Sequence, residues 1–316
     1  MNARVFAIIP AFQRPQLLAR ALQSLEGQGP SLARVIVVNN SSDAETARIA
    51  AASPLPTRVL DFGCNLGTAG GISAGMHEML QDAEATHAFV MDDDACATPG
   101  ALAAMLRTAE AHEADAVAPL ITDETGRVRW FPGPLAQPAW DVVRSSPTPA
   151  EFLQRCGPVA PRWNWAIWAS LLISRRAIVA VGYPRIDLWS QFTDLEYTLR
   201  LSARFKCVLA ADAVCAHLPP LVEIGSDRAK LFWALQHGDY AAVRLRHGWR
   251  FLRHLPGQQM RYLQHYRWRP HAWWDVARAF VGGAVLGRTA GLSVHAAEVQ
   301  RAAAFLPAAS ERVAGD

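Results

Sequence analysis

Three consecutive carboxylates, Asp92-Asp93-Asp94, directly follow residues 88–91, an apolar run that is typical of a buried strand. Moving an ionised carboxylate away from water is costly, so three like charges at this point call for a cation nearby. Alternate side chains of an extended backbone share a side, which predicts that Asp92 and Asp94 point one way and Asp93 the other. Such a pair could hold a divalent cation, or a cation and a ribose hydroxyl. The alternative is a solvated acidic turn before a helix.

A glycine-rich segment, Asn65-Leu-Gly67-Thr-Ala-Gly70-Gly71, precedes a helix that the pattern predicts over residues 71–80. Glycines let a ligand approach the backbone closely and leave amides available for an anionic phosphate. The segment has neither the Gly-Lys-Ser/Thr of a P-loop nor the Gly-x-Gly-x-x-Gly spacing of a dinucleotide site. A tight turn followed by a glycine-rich packing face explains it equally well.

A third candidate lies at the start of the helix predicted over residues 193–203. Thr193 and Glu196 have the spacing of a capping box, which leaves Asp194 in the first turn of the helix. An aspartate is ionised at neutral pH, so Asp194 could accept a proton from a reacting hydroxyl. The alternative is that Asp194 only complements the helix dipole.

Histidine and cysteine are the residues that could add nitrogen or sulfur ligands to a metal site. His217 ends a strand-like run over residues 213–216, and it would be a metal ligand if it faces the triplet of carboxylates. A lone histidine at a strand end is otherwise usually structural. The five cysteines are scattered without a Cys-x-x-Cys pair, which favours reduced, cytoplasmic thiols over disulfides or a zinc site.

Alternating strand and helix patterns position these motifs. Strands are predicted over 4–9, 34–38, 57–62, 88–91 and 115–120, and helices over 15–25, 71–80 and 98–111, the last with Thr98 as its N-cap. This alternation predicts an α/β fold with a mostly parallel sheet that helices cover on both faces. Ligands of such sheets bind beyond the carboxyl ends of the strands, where residues 11–14, 39–40, 64–71 and 92–94 lie.

The rest of the chain is less regular. Residues 121–165 are rich in proline, which predicts long ordered loops, whereas 206–210 and 213–216 are strand-like and the chain after 227 is helical. A length of 316 residues is enough for one large α/β domain, or for one domain with a helical extension. The patterns along the chain favour a domain over 1–225 and a helical region over 226–316. The N-terminal apolar run is too short for a signal peptide, and no run of 18 uncharged apolar residues predicts a membrane span. The net charge of +3 argues against a dedicated nucleic-acid protein.

Taken in order, these motifs resemble an inverting, family-2 glycosyltransferase of the GT-A type. The resemblance covers about residues 4–220 and is carried by segments 9–14, 37–43, 65–71 and 91–94, by Thr193-Asp194-Leu195-Glu196-Tyr197-x-x-Arg200, and by His217. Within that family the chain looks most like bacterial galactofuranosyltransferases, with rhamnosyltransferases close behind.

The resemblance implies a GT-A-type, Rossmann-like sheet flanked by helices, with a C-terminal helical extension. It also implies metal-dependent transfer of a sugar from a nucleotide-diphosphate donor, preferably UDP-galactofuranose, to a hydroxyl of a cell-surface glycan or a lipid-linked acceptor. Alternatives are a dTDP-rhamnose-dependent rhamnosyltransferase and a non-catalytic protein that binds nucleotide sugars. A nucleotidyltransferase is less favoured, because no basic glycine-rich signature follows Ile9.

The resemblance implies roles for single residues. Asp194 would be the catalytic base, and Asp92, Asp94 and His217 would bind the metal, Mn²⁺ in preference to Mg²⁺ because the ligand set mixes carboxylate and imidazole. The donor would be bound by Pro10, Phe12, Arg14, Asn39, Asn40, Asn65, Gly67, Gly70, Gly71, Asp92, Asp93, Trp168 and Trp189.

Within this donor set, Arg14 and the Asn39-Asn40 turn would hold the nucleotide base, and Trp168 and Trp189 would stack on sugar rings. The family often has aspartate where this chain has Asn39-Asn40. Asparagine can still bond the edge of uracil or thymine, so the identity of the base stays open.

The C-terminal region has a distinct composition. Between Arg244 and Arg278 it has eight arginines, one acidic residue, Asp275, and several tryptophans and tyrosines. Such a surface could lie on an anionic membrane and meet a lipid-linked acceptor, could hold an oligomer together, or could be an ordinary solvated arginine face. A nucleic-acid partner is not indicated, because no recognition motif accompanies the charge. The protein is expected in the cytoplasm, where it could also bind peripherally to the inner face of the cell membrane.

Overall fold

A nine-stranded sheet lies at the centre of the computed structural model, which describes residues 3–190, 192–218, 228–240 and 255–286, with Ala304. Its strands are β1 (Val5–Ala11), β2 (Leu32–Asn39), β3 (Thr57–Leu60), β4 (His87–Met91), β5 (Ala95–Ala97), β6 (Ala116–Thr122), β7 (Val128–Trp130), β8 (Ser170–Ser174) and β9 (Cys207–His217). The helices are α1 (Pro15–Leu25), α2 (Ala44–Ala51), α3 (Gly67–Leu80), α4 (Ala101–His112), α5 (Ala139–Arg144), α6 (Pro149–Cys156), α7 (Arg175–Val181), α8 (Thr193–Ser202), α9 (Arg228–Tyr240), α10 (Leu255–His265) and α11 (Pro270–Phe280).

The strand order is β3-β2-β1-β4-β8-β6-β9-β5, with β7 paired to β6. Strands β1 to β4 are parallel, and β6 is parallel to β9. Strand β8 lies between β4 and β6 and runs antiparallel to both, so six of the nine strands share one direction. The prediction of a mostly parallel α/β sheet is therefore confirmed.

Alternation along β1 explains why both faces of the sheet are covered. Phe6 and Ile8 belong to one buried cluster, with Ile72 and Met76 of α3. Val5, Ala7 and Ile9 point to the opposite cluster, which includes residues of α1 and α4. A strand that is apolar at every position can only lie between two helical layers.

The helices differ from their predicted bounds in informative ways. Helix α1 has the predicted bounds, whereas α3 begins at Gly67, four residues early. The prediction that Thr98 caps α4 is wrong, because the helix begins at Ala101 after Gly100. The Thr98 hydroxyl instead donates to the carbonyl of Val214, since β5 and β9 hold this segment.

The prediction of long loops over residues 121–165 is also wrong, because β7, α5 and α6 lie there. Helix α6 begins with a capping box: the Thr148 hydroxyl accepts from Glu151 N, and the Glu151 carboxylate accepts from Thr148 N. The two predicted strands near residue 210 form one strand, β9, whose pairing with β6 shifts register between Pro119 and Leu120.

Helices α9, α10 and α11 pack together around Leu235, Tyr262, Leu263, Ala272 and Ala279. The predicted domain boundary at residue 225, and the basic residues between 244 and 254, lie outside the described residues. The division into 1–225 and 226–316 therefore stays a prediction. Among the helices that are described, none combines the length and the apolar character that crossing a membrane requires.

This helical cluster buries two carboxylates whose pKa values shift in opposite directions. Asp239 is fully buried, and its contact to Gln259 Nε2 at 3.4 Å does not offset the burial, which raises its pKa to about 7. Asp275 is also buried, but hydrogen bonds from Arg228 at 2.8 and 3.0 Å and from Tyr262 at 2.8 Å outweigh burial and lower its pKa. A raised pKa means that the folded state resists ionisation, whereas a lowered pKa means that it favours ionisation.

We expect Asp239→Asn to raise the melting temperature at pH 7.5 and to have little effect near pH 4. The unfolded chain ionises Asp239 from about pH 4 upward, so this residue costs stability increasingly until the pH passes its folded pKa of about 7.

Asp275→Asn is the matched control, because it makes the same substitution in the same helical cluster. It should lower the melting temperature at pH 7.5, and the loss should shrink as acid protonates Asp275 in the parent protein. Calorimetric scans of both variants from pH 4 to 8 test the pair, and equal shifts of one sign would contradict it.

Candidate active site

The pairing of β5 with β9 explains how distant acidic and imidazole groups meet. Strand β4 ends at Met91, Asp92–Asp94 form the turn, and β5 starts at Ala95. Ala95 is the register partner of His217, the last residue of β9, and Leu218 N donates to the Asp94 carbonyl at 2.9 Å. The ladder therefore places an imidazole beside carboxylates more than 120 residues earlier in the chain.

Asp92, Asp94 and His217 offer one ligand atom each within 4.8 Å of one another. His217 Nε2 lies 3.1 Å from Asp94 Oδ1 and 3.7 Å from Asp92 Oδ2. Asp93 is fully buried and does not belong to this ligand group. Two carboxylates and an imidazole are a donor set that suits a divalent cation that accepts both oxygen and nitrogen ligands, such as Mn²⁺.

Arg14 binds the opposite side of the acidic turn. Its guanidinium donates from Nη1 to Asp94 Oδ2 at 2.6 Å, from Nε to Asp93 Oδ2 at 3.3 Å and from Nη2 to Asp93 Oδ1. Phe12 N also donates to Asp93, at 3.2 Å. Two carboxylates thus engage the planar fork of Arg14, and its predicted contact with the nucleotide base stays a prediction.

The electrostatics of the turn favour a bound cation. Burial, together with the neighbouring Asp94 charge, raises the pKa of Asp92, although His217 opposes the shift. Burial also raises the pKa of Asp93 to about 6 despite Arg14. Asp94 is buried too, but the hydrogen bond from His217 and the charge of Arg14 lower its pKa. Three carboxyls thus share one arginine and one histidine, and burial with incomplete compensation keeps the pKa values of Asp92 and Asp93 above the usual range.

Trp130 is a contact that the sequence did not reveal. It ends β7, and its ring packs edge-on against the His217 imidazole, with centroids 4.7 Å apart and planes at 73°. Its register partner on β6 is Ile121, so the sheet fixes its position. Trp130 therefore restricts the orientation of the imidazole; the tryptophan lies in the proline-rich region, where no pattern marked it.

A cavity of about 700 Å³ opens at this edge of the sheet. Nine of the predicted donor-binding residues line it, namely Pro10, Phe12, Arg14, Asn40, Asn65, Gly67, Asp92, Asp93 and Trp189. Gln13, Thr68 and Ser190 also line it, and each adjoins a predicted residue in sequence. The carboxyl-end rule thus located the cavity correctly.

Gly67 and Trp189 close one wall of the cavity together. Gly67 has φ +67°, and a Cβ atom there would lie 2.7 Å from Trp189 Cδ2. Trp189 also has a positive φ, +61°, and its carbonyl accepts from Ala69 N at 2.8 Å. Gly67 N donates to Asn65 Oδ1 at 2.8 Å. The amides of Gly67 and Ala69, at the start of α3, therefore already donate hydrogen bonds within the protein. They are not available to bind a phosphate in the way that the glycine-rich segment suggested.

Four predicted donor-binding residues do not line the cavity. Gly70 and Gly71 are buried in α3, where a Cβ on Gly71 would lie 2.9 Å from Pro10 Cβ. Asn39 is 1% exposed and holds the turn, donating from Nδ2 to the Asp43 carbonyl at 3.0 Å. Trp168 is the fourth. These placements correct the predicted contacts of all three residues with the donor.

Trp168 is a core residue, and the stacking role predicted for it is corrected. It is 4% exposed, its ring packs on Tyr197 at 5.2 Å, and its Nε1 donates to Thr193 Oγ1 at 3.0 Å. That bond occupies the hydroxyl of the predicted capping box, and Glu196 instead pairs with Arg200. Helix α8 has no side-chain cap, and Trp168 fixes its first turn.

Asp194 lies in that first turn, half-buried, with its carboxylate accepting from Leu195 N at 2.7 Å. Its charge makes a small contribution to the raised pKa of Asp92, so the two carboxylates interact electrostatically. Asp194 is not among the residues that line the cavity, whereas Trp189 and Ser190, shortly before it in the chain, are.

Comparison with known proteins identifies the segment that holds the acidic turn and most of the cavity-lining residues. The family model "Glycosyl transferase family 2" matches residues 6–156. The chain carries a glycosyl transferase family 2 domain. Galactofuranosyltransferase GlfT1 of Mycobacterium tuberculosis is 29% identical over 208 residues, which cover 64% of this chain and 65% of that protein. The chain therefore spans just under two thirds of this relative.

Solved structures show the fold of the family 2 domain and its surroundings. S. aureus TarS in complex with UDP-GlcNAc superposes with a TM-score of 0.62 at 12% identity, covering 95% of this chain and 89% of that one. GalNAc-T7 with UDP, GalNAc and Mn²⁺ superposes with a TM-score of 0.58 at 11% identity, covering 96% and 58%. The α/β architecture is that of GT-A glycosyltransferases.

We expect Gly67→Ala to weaken binding of a nucleotide sugar about tenfold or more, because the new Cβ displaces the Trp189 ring from the cavity wall. Gly63→Ala is the matched control, since Gly63 has φ +66° and no neighbouring atom within 4 Å of the added Cβ. Both variants carry the backbone strain, but only Gly67→Ala carries the clash. Equal affinities of the two variants in a calorimetric titration would refute the role of the Gly67–Trp189 contact.

Proposed function

We propose that this chain is a metal-dependent, inverting glycosyltransferase that moves galactofuranose from UDP-galactofuranose to a hydroxyl of a cell-surface glycan or a lipid-linked acceptor. The observation that carries the proposal is the convergence of Asp92, Asp94 and His217 beside one cavity. The family 2 domain supports glycosyl transfer, and the similarity to GlfT1 favours galactofuranose over rhamnose as the donor sugar.

The cavity has the size and lining that a nucleotide sugar requires. Its volume lies within the range of about 300–1,000 Å³ that is usual for small-ligand sites. Phe12 is 40% exposed at the cavity and offers an aromatic face to a base. Trp189, whose ring packs against Gly67 in the cavity wall, is the remaining candidate for stacking on the sugar ring.

Asp92, Asp94 and His217 would hold the divalent cation, and the excess negative charge of the buried turn supports this assignment. A cation there would neutralise the charge that develops on the leaving diphosphate. The mixture of oxygen and nitrogen donors favours Mn²⁺ over Mg²⁺. The Mn²⁺ and UDP in the GalNAc-T7 structure are consistent with this choice.

Asp194 would act as the general base. The acceptor oxygen attacks the anomeric carbon on the face opposite the diphosphate, and Asp194 takes the hydroxyl proton. One carbon–oxygen bond forms while the bond to the diphosphate breaks, so a single displacement inverts the configuration. The electrostatic effect of Asp194 on Asp92 supports this role, as does its place in the sequence shortly after the cavity-lining residues Trp189 and Ser190.

The two parts of the chain would divide these tasks. Residues 1–225 would bind the donor and carry out catalysis, since every residue assigned above lies there. Residues 226–316 would serve the acceptor, a membrane surface or an oligomer contact. Arg185 links the two parts, because its Nη1 donates to the Tyr240 hydroxyl of α9 at 2.7 Å. Arg185 precedes the cavity-lining Trp189 by only a few residues.

We expect Asp194→Asn to lower the transfer rate about 10²–10⁴-fold, as loss of a general base does, while the affinity for UDP-galactofuranose changes less than about twofold. Asp141→Asn is the control, because Asp141 is an exposed acid in the first turn of α5 and tests loss of helix-end charge alone. Radiolabelled transfer and a binding titration provide the two readouts. Near-normal turnover by Asp194→Asn would exclude it as the base.

We expect UDP-galactofuranose with Mn²⁺ to raise the melting temperature more than dTDP-rhamnose with Mn²⁺, since a ligand stabilises the state that binds it. Asp94→Ala should abolish the part of the shift that depends on Mn²⁺. Asp212→Ala should not, because Asp212 is exposed on β9 and pairs with Arg107. A full donor shift in the presence of a chelator would contradict metal dependence, and a larger shift with dTDP-rhamnose would contradict the donor.

A further inference from the structure

Helix α11 and the turn of π-helix that continues it (Val281–Val285) have their large apolar side chains on the outside. Trp273 is 53% exposed and Trp274 is 64% exposed, and Val281, Val285 and Leu286 are all exposed beyond 40%. The buried side instead has small residues, Ala272 and Ala279, and the acidic Asp275. A helix that packs on a protein core normally shows the reverse pattern.

The inward face of this segment is already fully used. A Cβ on Gly282 would lie 2.0 Å from Gln236 Nε2, and one on Gly283 would lie 2.3 Å from the Gln236 carbonyl. The segment therefore packs against α9 at a distance that only glycine permits. The exposed tryptophans cannot be residues that await burial against α9, because that contact has no room for them.

The turn before α11 extends the apolar surface. Arg267 and Trp268 have positive φ values, +49° and +59°, and this turn places the Trp268 ring 5.8 Å from the Trp273 ring. Trp268 is 46% exposed. We call the surface formed by Trp268, Trp273, Trp274, Val281, Val285 and Leu286 the aromatic face.

The charges around the aromatic face are positive. Arg261, Arg267, Arg269 and Arg278 are exposed. The one acidic residue of the described range 255–286, Asp275, is buried and paired with Arg228. Basic side chains beside exposed tryptophans match a surface that is anionic outside and apolar just beneath, since indole rings bind at the level of lipid headgroups.

We propose that the aromatic face binds the surface of an anionic lipid bilayer, with α11 lying parallel to the membrane plane. The tryptophans enter the headgroup region, and the arginines contact anionic headgroups. The inference deepens one of the roles proposed for residues 226–316, but it can fail or hold separately from the proposed catalysis, because it requires neither donor nor metal.

Co-sedimentation of the full chain with vesicles tests the proposal. We expect binding to vesicles that contain phosphatidylglycerol, weak binding to pure phosphatidylcholine, and a loss of binding as salt is raised. Trp273→Ser/Trp274→Ser should weaken binding to the anionic vesicles about tenfold or more, because both indole rings leave the interface. Arg267→Gln/Arg269→Gln should weaken it about 25-fold, since each arginine near an anionic surface contributes about fivefold.

Val179→Glu is the matched control, because Val179 is 50% exposed on α7 and is equally apolar. It should leave vesicle binding unchanged. Unaltered binding by both double variants would overturn the proposal, as would a failure of the parent to bind. A parent dimer that the tryptophan variant converts to a monomer would assign the face to a second copy instead. A lowered melting temperature of that variant without a change in vesicle binding would assign the face to another segment of this chain.

Discussion

The burial of three adjacent carboxylates at the end of β4 constrains the structure around the site. Removing an ionised carboxylate from water costs several kcal/mol unless a partner compensates it. Asp93 is fully buried, and it depends on Arg14 and the Phe12 amide from the segment after β1. Asp94 depends on both Arg14 and His217. The turn after β4 therefore requires groups from β1 and β9 at once, which ties the cavity to the correct pairing of the sheet.

Much of this arrangement could be predicted from the sequence, because it follows from the carboxyl-end rule. The apolar strands β1, β2 and β4 are separated by amphipathic helices, so their ends meet at one edge, and nine of the predicted donor-binding residues line a single cavity there. Strand β8 was not predicted. Its sequence, Ser170–Ser174, is buried on both sides, so it has no alternation of polar and apolar residues that would distinguish it from other core segments.

The failures have a common physical cause, which is competition from tertiary partners. The same capping-box spacing occurs at Thr193/Glu196 and at Thr148/Glu151, yet only the second forms a capping box, because Trp168 occupies the Thr193 hydroxyl and Arg200 holds Glu196. Arg14 lines the cavity, and its guanidinium also bonds to the buried carboxylates of Asp93 and Asp94, which no spacing in the sequence indicated. Spacing along the chain shows which bonds a side chain can make, and only the fold decides which partner it meets.

Strand β8 has a consequence for how the protein is made. It lies between β4 and β6 in the sheet. Residues 6–156, which match the family model, therefore include both neighbours of β8 but not β8 itself. During translation these two strand edges stay unpaired until residue 174 has left the ribosome, and unpaired edges are where chains aggregate. The polypeptide therefore depends on late, long-range β pairing, which is slow. A nascent chain of this protein should need protection by chaperones longer than one whose sheet closes in sequence order.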